Sequence, residues 1–239
     1  MSFIVNDTPS GGAAVTAAAI AAAITDATDA ETVRAALNPL TTYDGSSSTG
    51  WTASNGGTGR SAAISSNRFN VSIAAAQGGA EGWTPDADHP RIYRDLSALL
   101  VSASEDWSVV ARLAIHSAGG RAALAVGDTS DTAGAFVSVA DNGTVSYTGS
   151  WGNGADVSTG SGALPIDGTG WVILWSRGGE LSGGYGTGTS SAPPPRWKAF
   201  ADGGNRARPV ASRLTLYAFD ASGVGATVAW DDVRVTDGR

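Results

Sequence analysis

The sequence predicts an all-β protein, an antiparallel sandwich or barrel, with a short helical leader in front of it. Three observations point there. From Tyr43 onward, short apolar runs alternate with turn clusters about every 8–12 residues, the spacing of consecutive strands. Several of those runs alternate apolar with polar side chains, the period of a strand with one buried face. The composition agrees: 33 glycines and eight tryptophans accompany only 15% charged residues, against an average of about 25%.

Apolar residues make up 42% of the 239-residue chain. That is enough for a sizeable core, in one large β domain with an appendage or in two small domains. The net charge of −7 argues against nucleic acid as a partner, because such proteins present a basic patch. Lysine occurs once, at Lys198, and the remaining basic residues are arginine. There is no cysteine, which excludes disulfides, thiolate metal sites and cysteine nucleophiles. The opening MSFIVNDTPS lacks the basic and long apolar regions of a signal peptide. AAVTAAAIAAAIT is too short and too alanine-rich to span a bilayer, so no membrane insertion is expected.

Along the chain, residues 1–12 read as extended. Phe3, Ile4 and Val5 form an apolar tip that either docks on a partner or frays. Residues 13–24 read as a helix, on the propensity of alanine. A second helix is expected over 28–37, where Thr28 and Glu31 have capping-box spacing and Val33 and Leu37 share a face. Asn38-Pro39 stops it. Neither helix is long enough to stand alone. Val15, Ile20, Ile24, Val33 and Leu37 therefore need something to pack on: the body of the same chain, another copy, or a neighbouring protein. Small alanine faces suit a tight bundle about a symmetry axis. Residues 1–42 are thus expected to be an attachment and oligomerisation segment, and 43–239 the β domain.

In that domain, strands are expected over 68–75, 90–95, 107–115, 121–127, 134–140, 144–148, 170–176, 196–201, 212–219 and 226–235. Val109, Ala111, Leu113 and Ile115 should share one face, as should Leu214, Leu216 and Ala218. Asp141-Asn142-Gly143 is a hairpin signal. No repeat of propeller or solenoid length stands out.

Two stretches resemble known families. WSVVARLAI, RAALAVGD, GAFVSVADNGTVSYTG and LTLYAFDASGVGATVAWDDVRVTDG resemble the concanavalin A-like lectin/glucanase jelly roll in its laminin-G-like form. The ATVAWDDVRVT close is similar to the last strand of many such domains. AAITDATDAETVRAAL resembles a segment near the start of phage tail-fibre and related virion appendage proteins. Together the resemblances imply a jelly-roll β-sandwich on the surface of a virion, joined to other virion proteins through its N-terminus, often as a homotrimer.

The glucanases of this fold carry two carboxylates on one strand as Glu-x-Asp-x-Glu. Retaining hydrolysis requires such a pair about 5.5 Å apart. The four glutamates, Glu31, Glu81, Glu105 and Glu180, have no such neighbours, and Asp86 and Asp88 sit in a proline-bracketed loop. No catalytic residue is expected. His89 and His116 have no nucleophile elbow to serve. Asp86, Asp88 and His89 offer oxygen and nitrogen donors of the kind that hold Ca²⁺ in loops of this fold, yet they read as a solvated acidic turn, as does Asp202–Asn205. Asp231-Asp232 reads as a strand closure with one carboxylate turned inward to backbone amides. No cofactor is expected.

Sugar recognition would need a flat ring flanked by polar groups. Trp51, Trp83, Trp151 and Tyr185 fall outside the expected strands, whereas Trp107, Trp171, Trp175 and Trp230 read as core. Trp151 with neighbouring Asn153, Tyr185 in GGYGTG and Trp83 in EGWTPD are the candidate ligand-binding residues. GGYGTGTSSAPPP reads as a flexible surface loop ending in polyproline. The expected function is a tail fibre or receptor-binding protein that displays a lectin-like domain to host-surface glycan. A capsid decoration protein or head fibre, and a glycoside hydrolase or lyase of the same fold, are the alternatives.

Overall fold

The computed structural model describes residues 41–75, 88–96, 107–117, 119–128, 134–151, 156–177, 180–200, 213–220 and 223–237. The expected leader residues Phe3, Ile4, Val5, Val15, Ile20, Ile24, Val33 and Leu37 lie outside them. The described chain forms fifteen strands and no helix. They are β1 Thr41–Tyr43, β2 Thr52–Ser54, β3 Arg60–Ser65, β4 Arg68–Ile73, β5 Arg91–Asp95, β6 Trp107–His116, β7 Arg121–Gly127, β8 Gly134–Ala140, β9 Thr144–Trp151, β10 Asp156–Ala163, β11 Gly170–Arg177, β12 Glu180–Thr187, β13 Lys198–Ala199, β14 Arg213–Phe219 and β15 Ala226–Asp237.

All pairings are antiparallel. An eight-stranded sheet runs β13-β12-β11-β6-β15-β4-β3, with β1 also on β15, and a seven-stranded sheet runs β10-β9-β8-β7-β14-β5-β2. The chain passes repeatedly from one sheet to the other, which closes the two into a sandwich. β1 pairs Thr41–Tyr43 with Val233–Val235, so the sandwich takes in residues just ahead of the expected boundary.

Alternation decides which side chains meet between the sheets. From the larger sheet come Val109, Ala111 and Leu113 of β6, Val172 and Leu174 of β11, and Trp230, Val233 and Val235 of β15. Leu124, Val137, Tyr147, Leu214 and Leu216 meet them from the smaller sheet. All are nearly inaccessible to water. The Asp141-Asn142-Gly143 turn joins β8 to β9 as expected. The Asn142 side chain accepts from the Thr144 amide at 2.9 Å, and Gly143 takes φ +79°, the left-handed value that glycine adopts without penalty.

Two bulges between β6 and β15 break the alternation. Leu113 pairs with Trp230, but Ile115 pairs with Ala229, so β6 carries one extra residue there. A single extra residue turns the next side chain to the opposite face. Ile115 consequently points outward and is 40% exposed, rather than continuing the face of Val109, Ala111 and Leu113. In the second bulge β15 carries the extra residue, between Asp231 and Arg234, and Asp232 adopts φ +53°.

Four further strands lie outside the expected ones. β2 and β3 are rich in small residues, and β10 is mostly Ser, Thr and Gly. β12, ELSGGYGT, is not a loop. Its glycines are placed where side chains from neighbouring strands arrive: a Cβ at Gly183 would lie 2.7 Å from both Tyr147 and Val137 across the sandwich. The glycine row that weakens strand propensity is what lets bulky partners close over it.

Candidate functional site

β11 reads Gly-Trp-Val-Ile-Leu-Trp-Ser-Arg, apolar on both faces. Val172 and Leu174 enter the inter-sheet core. Trp171, Ile173 and Trp175 must therefore stand on the outer face of the eight-stranded sheet. There Trp171, Ile173 and Val110 of β6 form a second apolar cluster, against which Trp175 and Trp197 pack, both only partly buried. Trp171 and Trp175 are thus not part of the core between the sheets.

The outer-face glycines of β12 make this cluster feasible. A Cβ on Gly184 would fall 3.1 Å from the ring of Trp175, one on Gly186 2.8 Å from Pro194, and one on Gly188 2.7 Å from the indole nitrogen of Trp171. The tryptophans and the proline loop lie directly on backbone. Residues 188–195, expected to be flexible, fold back over the sheet. The Trp171 N–H donates to the Thr189 carbonyl at 3.0 Å, the Thr189 hydroxyl accepts from the Ala192 amide at 3.0 Å, and Pro194 is buried. Three consecutive prolines with fixed φ stiffen the return.

Charge surrounds the cluster in matched pairs. Arg234 makes a bidentate contact with Asp232 at 2.9 Å through two nitrogens and donates to the Ser191 carbonyl at 2.8 Å. Its guanidinium lies 5.3 Å from the Trp171 ring centroid. Arg112 meets Asp231 at 2.6 Å and donates to the Gly168 carbonyl at 3.1 Å. The second Asp231 oxygen accepts the Asp232 amide at 2.7 Å. The Asp231 carboxylate therefore accepts one backbone amide, as expected, but sits on the outer face beside Arg112 instead of turning inward. Trp197 stands between Arg196 and Lys198, both exposed.

Of the candidate ligand residues, only the side chain of Tyr185 lies among the described residues. Tyr185 points into the sandwich, where it packs against Phe200 with ring centroids 5.7 Å apart and is 5% exposed; it cannot present a ring to a ligand. Trp151 ends β9 opposite Gly134, and its side chain lies outside the described residues, as do Trp83 and Asn153. Trp51 caps the core from the side, edge-on to Tyr43 at 5.4 Å and beside Phe69 at 4.6 Å. Sequence reasoning missed Trp175 and Trp197. The available signal was the Trp-x-Ile-x-Trp period in β11: a strand apolar on both faces, next to a glycine-rich partner, needs an apolar cover on each.

His89 is buried, with its ring edge-on to Tyr217 at 5.7 Å on the outer face of the seven-stranded sheet. Asp86 lies outside the described residues. Among the described residues no group of three His, Asp or Glu side chains is placed to share a metal ion. Among the described strand positions, the outer face of the seven-stranded sheet presents one carboxylate, Asp95, held by Arg213 at 3.0 Å.

His116 ends β6, buried, with Nε2 3.1 Å from the Gly120 carbonyl. Burial holds its pKa below the usual 6.5, opposed by that carbonyl and by Asp141, while Arg121 adds to the lowering. The unfolded chain therefore takes up this proton at higher pH than the folded one. Stability should fall as pH drops below about 6.5 toward the folded-state value, then level off. Urea midpoints at pH 7.5 and 5.0 should differ more for the native protein than for His116→Gln; equal slopes would assign the pH dependence to other groups.

Two antiparallel sheets, this crossing pattern and an inter-sheet core define a concanavalin A-like jelly-roll sandwich. Solved structures agree. SCLam, a non-specific endo-β-1,3(4)-glucanase from family GH16, superposes with a TM-score of 0.55 at 13% identity, over 84% of this chain and 92% of its own. The apo Crh5 transglycosylase gives 0.55 at 13%, over 84% and 85%. The CBM2 module of the evolved Dit of Lactobacillus casei BL23 phage J-1 gives 0.53 at 14%, over 83% and 96%. No protein-family model and no curated protein sequence matches the chain.

Proposed function

We propose that this chain is a non-enzymatic virion appendage whose sandwich binds host-surface glycan. The observation that carries the reading is the pair of partly exposed tryptophans, Trp175 and Trp197, fixed on one sheet face by the Trp171 cluster. A flat aromatic surface held by packing suits the apolar face of a pyranose and loses little entropy on binding. The phage Dit module with the same sandwich supports the glycan reading and the virion setting. Residues 1–42 attach the protein to its particle and bring three copies together, so that several weak sugar sites act at once. The site would be sugar-binding only, because no Glu-x-Asp-x-Glu run exists in the sequence.

The test is binding of the full chain to a panel of bacterial surface polysaccharides, with light scattering on the same sample. Binding should weaken about tenfold or more, about 1.4 kcal/mol, in Trp175→Ala/Trp197→Ala, with circular dichroism unchanged. The scattering mass should be that of three chains. Unaltered binding in the double variant would remove the tryptophan face from the function. A monomer would remove self-trimerisation.

A further inference from the structure

Resting on that glycan reading, we infer that the ligand is an acidic polysaccharide, one bearing carboxylate or phosphate groups, and that Arg196 and Lys198 read its charge. The chain as a whole is poorly suited to a polyanion, with net charge −7, and repulsion must be overcome locally. The local arrangement does so beside one tryptophan. Trp197 is bracketed by Arg196 and by Lys198, the only lysine of the chain. Both are exposed, and neither forms an ion pair among the described residues.

Arg112 and Arg234, the described cations nearest the cluster, are already committed. Arg112 is neutralised by Asp231 and Arg234 by Asp232. The same pairs remove the two aspartates as sources of repulsion. What remains beside Trp197 is positive charge at one place that no carboxylate pairs among the described residues. That place is the sheet edge: β13 is the outermost strand, paired to β12 through Lys198–Tyr185 and Ala199–Gly184. The Lys198 ammonium lies 5.7 Å from the Tyr185 ring centroid, on the side opposite the outer-face cluster. A polymer stacked on Trp175 and Trp197 that continues over the edge meets these cations. Stacking supplies the contact to the sugar ring, and the cations select the charged repeat.

The test compares matched polymers on the full-length protein: polygalacturonate against its carboxyl-reduced neutral form, and a phosphomannan against its dephosphorylated form. The acidic member of at least one pair should bind about tenfold tighter near 0.15 M salt, and that preference should shrink in about 1 M salt, where the screening length falls to about 3 Å. Arg196→Gln/Lys198→Gln should abolish the preference and flatten the salt dependence while leaving binding of the neutral polymers unchanged. Which pair responds identifies carboxylate or phosphate as the group read. Equal or tighter binding of the neutral members overturns the inference and leaves the glycan reading standing. Failure of all four polymers and of the wider surface-polysaccharide panel overturns both.

Discussion

Asp231→Ala should lower the unfolding free energy by about 3 kcal/mol, the low end of the range of about 3–5 for stripping one partner from a buried ion pair. The guanidinium of Arg112 is only 11% exposed. Without Asp231 it keeps one neutral acceptor, the Gly168 carbonyl, and its Nε has no partner. The charge would remain where little water reaches it. The loss should also propagate along β15, because Asp231 holds the amide of Asp232 at the bulge. Arg112→Met/Asp231→Leu should recover most of the stability, since removing both charges leaves nothing uncompensated. Urea denaturation of the three proteins checks this. A single variant within about 0.5 kcal/mol of the native protein would show that the pair is solvated well enough to be dispensable.

Trp171→Ala should cost about as much or more, about 3–5 kcal/mol. Its side chain is fully buried on the outer sheet face, pinned by its N–H to Thr189 and covered by Arg234. Removing the ring opens a cavity beneath residues 188–197 and deprives the Thr189 carbonyl of its donor. The inter-sheet core is untouched, so the damage should concentrate in that loop. Trypsin cleavage at Arg196 under native conditions should become much faster, and glycan binding through Trp197 should be lost. Trp171→Phe, which keeps most of the apolar contact, should lose about 1 kcal/mol for the absent hydrogen bond and retain much of the protease resistance. Unchanged cleavage in Trp171→Ala would mean that the prolines alone hold the loop.

Much of the sandwich was legible because its central strands are apolar runs of strand length set between turn signals. β6, β7, β8, β11, β14 and β15 each contain a run that buries one face, and the Asp-Asn-Gly turn announced its own hairpin. What escaped were strands whose residues do not favour strands at all. Nothing in ELSGGYGT suggests pairing by propensity; its glycines make sense only once Trp175, Pro194 and Tyr147 are seen pressing on them. The same cause misplaces Tyr185. Its glycine neighbours predict an exposed ring, yet those glycines admit the bulk that buries it. Ile115 illustrates a different limit: one extra residue in β6 reverses a face, and the sequence carries no mark of where a bulge will fall. Trp175 and Trp197 belong to one surface although 21 positions of chain separate them, a proximity created by the return of the proline loop.

The C-terminal half of the largest sheet imposes a schedule on synthesis. β15 lies between β6 on one side and β1 and β4 on the other, and Arg112 waits for a partner 119 positions further on. At about 5–20 residues per second, that wait is about 6–24 s on the ribosome. During it β6 has β11 as a neighbour at most, and β3, β4 and β1 have no route into the sheet. Fragments stopping short of residue 226 should therefore accumulate as aggregation-prone chains rather than as half-built sandwiches, and only finished molecules would have a completed tryptophan face to carry onto a particle.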